Sequence, residues 1–124
     1  MGYRSDVRIV ITKEGFEELK NFVNEYCKEH KCDNLLNMLD VDKLTSFTSD
    51  KLIGWNSVKW YEDTYENVIA INKGLAHMSN LEYAYNFSRI GEDFDDYEIE
   101  EKCDRDGNYV PNVYISRSFD DDWI

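Results

Sequence analysis

YRSDVRIVIT, residues 3–12, places Val7, Ile9 and Ile11 at alternate positions, with Asp6, Arg8 and Thr12 on the opposite side. A period of two marks a half-buried strand, because successive side chains leave a strand on opposite faces. Thr12 then stands where a helix N-cap is needed. After it Phe16, Leu19, Val23 and Tyr26 recur every three or four residues, which predicts a helix over 13–29 packing back on the strand. A strand followed at once by an amphipathic helix sets the expectation of a sheet with helices on one side.

The rest of the chain repeats that pattern. Asp33 opens a short helical candidate over 34–39, and the polar stretch 40–51 reads as connection with one short strand near 44–48. LIGWNSVKWY, residues 52–61, is aromatic and β-branched and predicts a long strand, with Leu52, Asn56, Val58 and Trp60 on one face and Ile53, Trp55, Ser57, Lys59 and Tyr61 on the other. A second helix starting at Asp63 or Thr64 is expected from the stripe Tyr65, Val68, Ile69, Ile71, Leu75 and Met78. Tyr83, Tyr85, Phe87 and Arg89 alternate with Ala84, Asn86, Ser88 and Ile90, predicting a third long strand. Residues 97–103 form a fourth across the turn GEDFDD, and Asp106-Gly107 is a hairpin signal before a fifth over 109–116, which Pro111 assigns to an edge. The expected fold is α+β: a two-layer sandwich of a mostly antiparallel sheet and two main helices, in a ferredoxin-like variant. Its core should hold Val7, Ile9, Ile11, Leu19, Val23, Val58, Trp60, Val68, Ile71, Leu75 and Phe87.

A length of 124 residues with 42% hydrophobic and 15% aromatic residues fits one folded domain over 1–124. No stretch approaches the roughly 20 apolar residues of a membrane span. Three cysteines in a chain able to build a core point to a reducing compartment, and the expected location is a cytoplasm. Charge is the most uneven property. Of the formal −12, residues 91–124 carry −9, from 12 acids and 3 bases. Such crowding opposes folding and suits a basic partner.

Three motifs carry a resemblance. Gly2-Tyr3-Arg4-Ser5-Asp6-Val7, Gly54-Trp55-Asn56-Ser57-Val58-Lys59-Trp60-Tyr61 and Ser88-Arg89-Ile90-Gly91-Glu92-Asp93 resemble small proteins encoded by phages and prophages of low-GC Gram-positive bacteria. The resemblance spans most of the chain and carries no site with it. It implies a non-structural phage protein in a bacterial cytoplasm, of the accessory kind that antagonises host defence, as anti-CRISPR proteins do.

Catalysis finds no support in the motifs, since neither His30 nor His77 has a nucleophile at a recognisable spacing and no phosphate loop, nucleophile elbow or dinucleotide fingerprint occurs. No catalytic residue and no cofactor is expected. Cys27, His30, Cys32 and Cys103 offer soft ligands for zinc, but at a spacing foreign to zinc modules, so no metal site is assigned. DRDGN, residues 104–108, lacks the glycine and glutamate of a calcium loop.

Two binding readings stand ahead of the last alternative, a zinc-binding structural protein. In the first, Glu92, Asp93, Asp95, Asp96, Glu98 and Glu100, with Asp120, Asp121 and Asp122 of the tail, present carboxylates to a host protein whose basic surface handles nucleic acid. Glu98 and Glu100 share a strand face about 6–7 Å apart, whereas Glu101 joins Tyr97 and Ile99 on the other. In the second, Arg4, Lys59 and Arg89 with Trp55 and Trp60 build a pocket that sequesters a nucleotide immune signal. The lack of a basic patch argues against direct nucleic-acid binding. An edge near Tyr114 offers a route to a homodimer.

Overall fold

A computed structural model describes residues 3–46, 48–62, 64–93, 95–115 and 119–121. β1 (Ser5–Ile11) leads into α1 (Lys13–His30), then β2 (Val41–Leu44), β3 (Lys51–Val58), α2 (Glu66–Asn80), β4 (Tyr85–Ile90) and β5 (Tyr97–Lys102). Two short strands, β6 (Tyr114–Ile115) and β7 (Phe119–Asp120), pair with each other. The main sheet runs β2-β3-β1-β4-β5, every neighbouring pair antiparallel. Without β5 this is the ferredoxin-like βαββαβ arrangement, and β5 extends it at the β4 edge. No helix among the described residues is long and apolar enough to cross a membrane.

The two faces of β1 explain the layering. Val7, Ile9 and Ile11 meet Leu19, Val23, Val68, Ile71, Leu75 and Met78 from the helices, together with Trp55, Trp60 and Phe87. Thr12 caps α1 as its sequence position implies, its Oγ accepting from the Gly15 amide at 3.1 Å. α1 ends where Lys31 turns into the left-handed region and donates its N–H to the Cys27 carbonyl. Gly74 lets the helices approach closely, since a Cβ there would press on Leu19. On the reverse face Val10, Leu52 and Ala84 lie beneath Val110 and Val113. The chain after β5 therefore covers part of the face that the helices leave open.

Leu75→Ala is expected to cost about 2 kcal/mol, the lower end for a buried leucine, because Leu75 also lines an open groove that solvent fills as the side chain shrinks. Chemical denaturation with an unchanged m-value checks it. An unaltered midpoint would contradict the α2 packing.

Several expectations need correction. The helical candidate over 34–39 is one 3-10 turn, Leu35–Asn37, capped by Asn34 through the Leu36 amide. The short strand lies at 41–44 rather than 44–48, because Thr45 starts a turn in which its N–H reaches the Asp50 carbonyl and its hydroxyl accepts from the Asp50 amide. The second helix begins at Glu66 after Tyr65, and Tyr65 itself is exposed; of the two proposed starts, Asp63 lies outside the described residues. The long strand stops at Val58, not Tyr61. Its register against β1 shifts between Val7↔Trp55 and Ser5↔Val58, and Ser57 takes φ 54°. This bulge resets the alternation, so Trp60 joins Trp55 in the core instead of opposing it, and Val58 is only half-buried. The fifth strand over 109–116 is absent as such: residues 108–113 cross the reverse face without pairing, and only Tyr114–Ile115 is strand, outside the main sheet, while Ser116 lies outside the described residues.

Candidate functional site

The acid-rich stretch is the outer rim of the sheet: the end of β4, a turn, and the edge strand β5. Arg89 holds it together. Its Nε donates to Glu98 at 2.6 Å, one terminal nitrogen donates to Asp96 at 2.7 Å, and the other reaches Asp96 at 3.2 Å and the Ser5 hydroxyl at 3.0 Å. The Tyr3 hydroxyl also donates to Asp96, at 2.6 Å, and accepts the Asp93 amide at 2.9 Å. The hydrogen bonds from Arg89 and then Tyr3 hold the Asp96 carboxyl below its ordinary range. Gly91 fits here because a Cβ would fall on Asp96 and the Tyr3 hydroxyl. Asp96 is thus a brace for the turn. Glu92, Asp93 and Asp95 are exposed around it.

β5 sits one face to the helices and one to the reverse side. Glu98 opposes Arg89 and Glu100 opposes Phe87, so both carboxylates lie on the helix side of the sheet. With Glu62 and Lys102 they rim a groove of about 640 Å³ between β5 and α2, floored by Leu75, Ala76, Tyr85 and Phe87. The Tyr85 hydroxyl donates to Glu100 at 2.6 Å; burial, then that carboxylate, push its pKa well up, so it stays a donor. On the other face Tyr97 and Ile99 are 60% and 51% exposed, large values for such side chains in a strand.

The tail does not extend the acidic surface at Asp121. That carboxylate takes the Nε of Arg8 at 2.9 Å and a terminal nitrogen at 3.3 Å, against the reverse face of β1. The expectation of an outward-facing Asp121 is therefore corrected, and its partner Arg8, on the β1 face away from the helices, is only 4% exposed. The side chain of Asp120, and all of Asp122, lie outside the described residues.

The nucleotide pocket finds no common ground in the structure. Trp55 and Trp60 are closed into the core, ring centroids 5.5 Å apart, and the Trp55 Nε1 donates to the Leu35 carbonyl at 2.9 Å. Arg89 is held by Glu98, Asp96 and Ser5, and Arg4 donates to the Ser57 carbonyl at 2.8 Å. Lys59 borders a separate hollow beside Lys31, Asp33 and Tyr65. β-branched and aromatic strand residues that sequence alone leaves ambiguous have here gone inward.

The soft ligands are spread out, Cys27 beside Cys32 but His30 turned onto Tyr26 and Cys103 exposed. Among the described residues no three histidine, cysteine or acidic side chains gather as an ion site, and all three cysteines are free thiols. The Cys27 thiol donates to the Asp33 carbonyl, and burial, then the neighbouring Cys32, push its pKa up to about 12. Cys27 packs as a small apolar side chain within the helix-side core. His30 stacks on Tyr26 with centroids 3.8 Å apart.

No family model, curated protein or solved structure matches this chain. The site is defined by its own geometry. Sequence reasoning missed Glu62 and the hydrogen bonds by which Tyr3 and Tyr85 join the acidic rim, since nothing in their local spacing signals contact with residues up to 93 positions away. It also missed that Glu98 and Glu100, exposed as they are, lie on the α2 side of the sheet at the rim of the groove, which depends on the pairing of β5 with Tyr85 and Phe87.

Proposed function

We propose that the protein is a non-enzymatic binding protein that presents the β4–β5 rim to a basic protein surface, one that otherwise holds nucleic acid. The observation that supports this most is the distribution of counter-charge. Arg89 engages Asp96 and Glu98, while among the described residues Glu92, Asp93, Asp95 and Glu100 have no ion pair. Unpaired carboxylates crowded on one rim repel one another, and a cationic surface relieves that repulsion. The likeness of the motifs at 2–7, 54–61 and 88–93 to phage-encoded proteins suggests the setting: an accessory protein in a bacterial cytoplasm that inhibits a host nucleic-acid-handling or defence protein, in the manner of anti-CRISPR proteins.

The test is affinity capture from a low-GC Gram-positive host with wild-type bait and a bait carrying Glu92→Gln, Asp93→Asn, Asp95→Asn and Glu100→Gln. The amides keep shape and acceptor oxygens and remove four charges. Asp96 is left alone because it braces the turn. The expected wild-type catch is a nucleic-acid-binding protein that its own nucleic acid displaces. The variant should retain about tenfold less of it at low salt, with the difference shrinking as the Debye length falls below its ~8 Å physiological value. Amide changes at Glu14, Glu17 and Glu18 on α1 serve as the neutral control. Equal capture by both baits at low salt would end this reading.

A further inference from the structure

The rim is also an open sheet edge, and its backbone has a definite phase. The Gly91 N–H donates to the Asp96 carbonyl at 2.8 Å. In an antiparallel ladder bonded pairs alternate with non-bonded ones, so Arg89/Glu98, Phe87/Glu100 and Tyr85/Lys102 are the bonded pairs. Tyr97, Ile99 and Glu101 therefore turn their N–H and C=O groups away from β4, toward the outside. All six residues of β5 are exposed and β5 ends the sheet. Such an edge is a template for another strand unless it is blocked. β5 carries no proline and no bulge in its pairing with β4.

We infer that β5 receives an extended basic segment of a partner protein as a sixth strand of the sheet, with lysine or arginine at alternate positions reaching Glu98 and Glu100 over the α2 groove and apolar residues between them covering Tyr97 and Ile99. This deepens the proposed function, on which it rests, by naming the shape of the partner. The alternation is set by the strand: successive side chains of an added chain lie on opposite faces, as those of β5 do. One face offers carboxylates beside a groove roomy enough for long cationic side chains. The other offers exposed apolar surface. A second copy of this chain is the poorer occupant. Antiparallel self-pairing centred on Ile99 would set Glu98 against Glu100 of the copy, twice, and like charges directly opposite destabilise a strand pair. Those same glutamates blunt self-association and admit a cationic strand.

A synthetic peptide alternating arginine and valine is the probe, compared with the same peptide N-methylated at alternate residues along one edge. The two carry equal charge, but the second cannot pair on the methylated edge; methylation of the opposite edge in a third peptide covers both directions of approach. Wild-type protein should bind the unmethylated peptide, with slowed exchange of the Tyr97, Ile99 and Glu101 amides, and binding should weaken about tenfold or more for at least one methylated form, as lost backbone hydrogen bonds imply. Ile99→Pro removes only an outward N–H and should give a similar loss while the fold persists. Equal binding by all three peptides would overturn strand addition and leave the acidic-surface reading standing. Absence of binding by any of them, with the four-amide bait still defective in capture, would also overturn strand addition alone. Dimerisation through β5 in sedimentation would replace the basic segment with a second copy and overturn the inference.

Discussion

Asp121→Ala is expected to destabilise the protein by about 3 kcal/mol, although Asp121 lies three residues before Ile124 and on the sheet face away from the helices. The reason is the residue it neutralises. Arg8 stands in the middle of β1, the central strand, and all five of its N–H donors are matched: two by Asp121, one by Asn56 at 2.7 Å, and one each by the Val7 and Trp55 carbonyls at 3.0 and 3.2 Å. Phe119 lies over the guanidinium, 5.0 Å from its carbon to the ring centroid. Gly54, opposite Arg8 in β3, leaves the space the side chain occupies; a Cβ there would fall on the Val7 carbonyl and the Arg8 chain. Removing one partner of a buried pair leaves the other charge uncompensated, which costs about 3–5 kcal/mol; the partial exposure of Asp121 places the effect at the lower end. Urea denaturation measures it. The double variant Arg8→Met with Asp121→Leu removes both charges and should recover most of the loss. Recovery of none, or an Asp121→Ala midpoint equal to wild type, would contradict the pairing.

That pair shows where reading the sequence succeeds and where it stops. Alternation in 3–12 identified β1 and its helix-facing residues because Val7, Ile9 and Ile11 obey a local rule. Thr12 and the α1 stripe were legible for the same reason, and the order of elements carried the fold class. Arg8 reads as solvent-facing by that rule, since an arginine opposite a hydrophobic row is usually wet. Its burial depends on a carboxylate 113 positions later and on a glycine in another strand. The bulge at Asn56-Ser57 was equally hidden, because nothing local announces that an alternation will reset before Trp60. At the acidic rim the split of Glu98 and Glu100 from Tyr97, Ile99 and Glu101 was legible from the strand period alone. Which set faces α2, which carboxylate braces Arg89, and which amides point outward all follow from the register with β4.

Trp55→Ala is expected to cost about 3–5 kcal/mol, the range for emptying a buried aromatic site. As a ligand-stacking residue Trp55 would lie open to solvent, and its loss would spare the fold. Instead it is 2% exposed, opposite Val7 in β3, tilted against Trp60, which in turn meets Phe87 at 5.9 Å. Its Nε1 also ties the sheet to the 3-10 turn through the Leu35 carbonyl, so truncation removes that tie and leaves the carbonyl with the Met38 amide alone. Trp55→Phe separates the two contributions: it keeps most of the ring contact and loses the hydrogen bond, and should cost less than half as much. Among the described residues the Trp60 Nε1 has no hydrogen-bond partner, so Trp60→Phe forfeits ring area and no bond, and should be the milder of the two phenylalanine changes. Thermal or denaturant unfolding of the three variants ranks them. If Trp55→Ala unfolded at the wild-type midpoint, Trp55 would not be a core residue, and the aromatic strand would return as a candidate ligand surface.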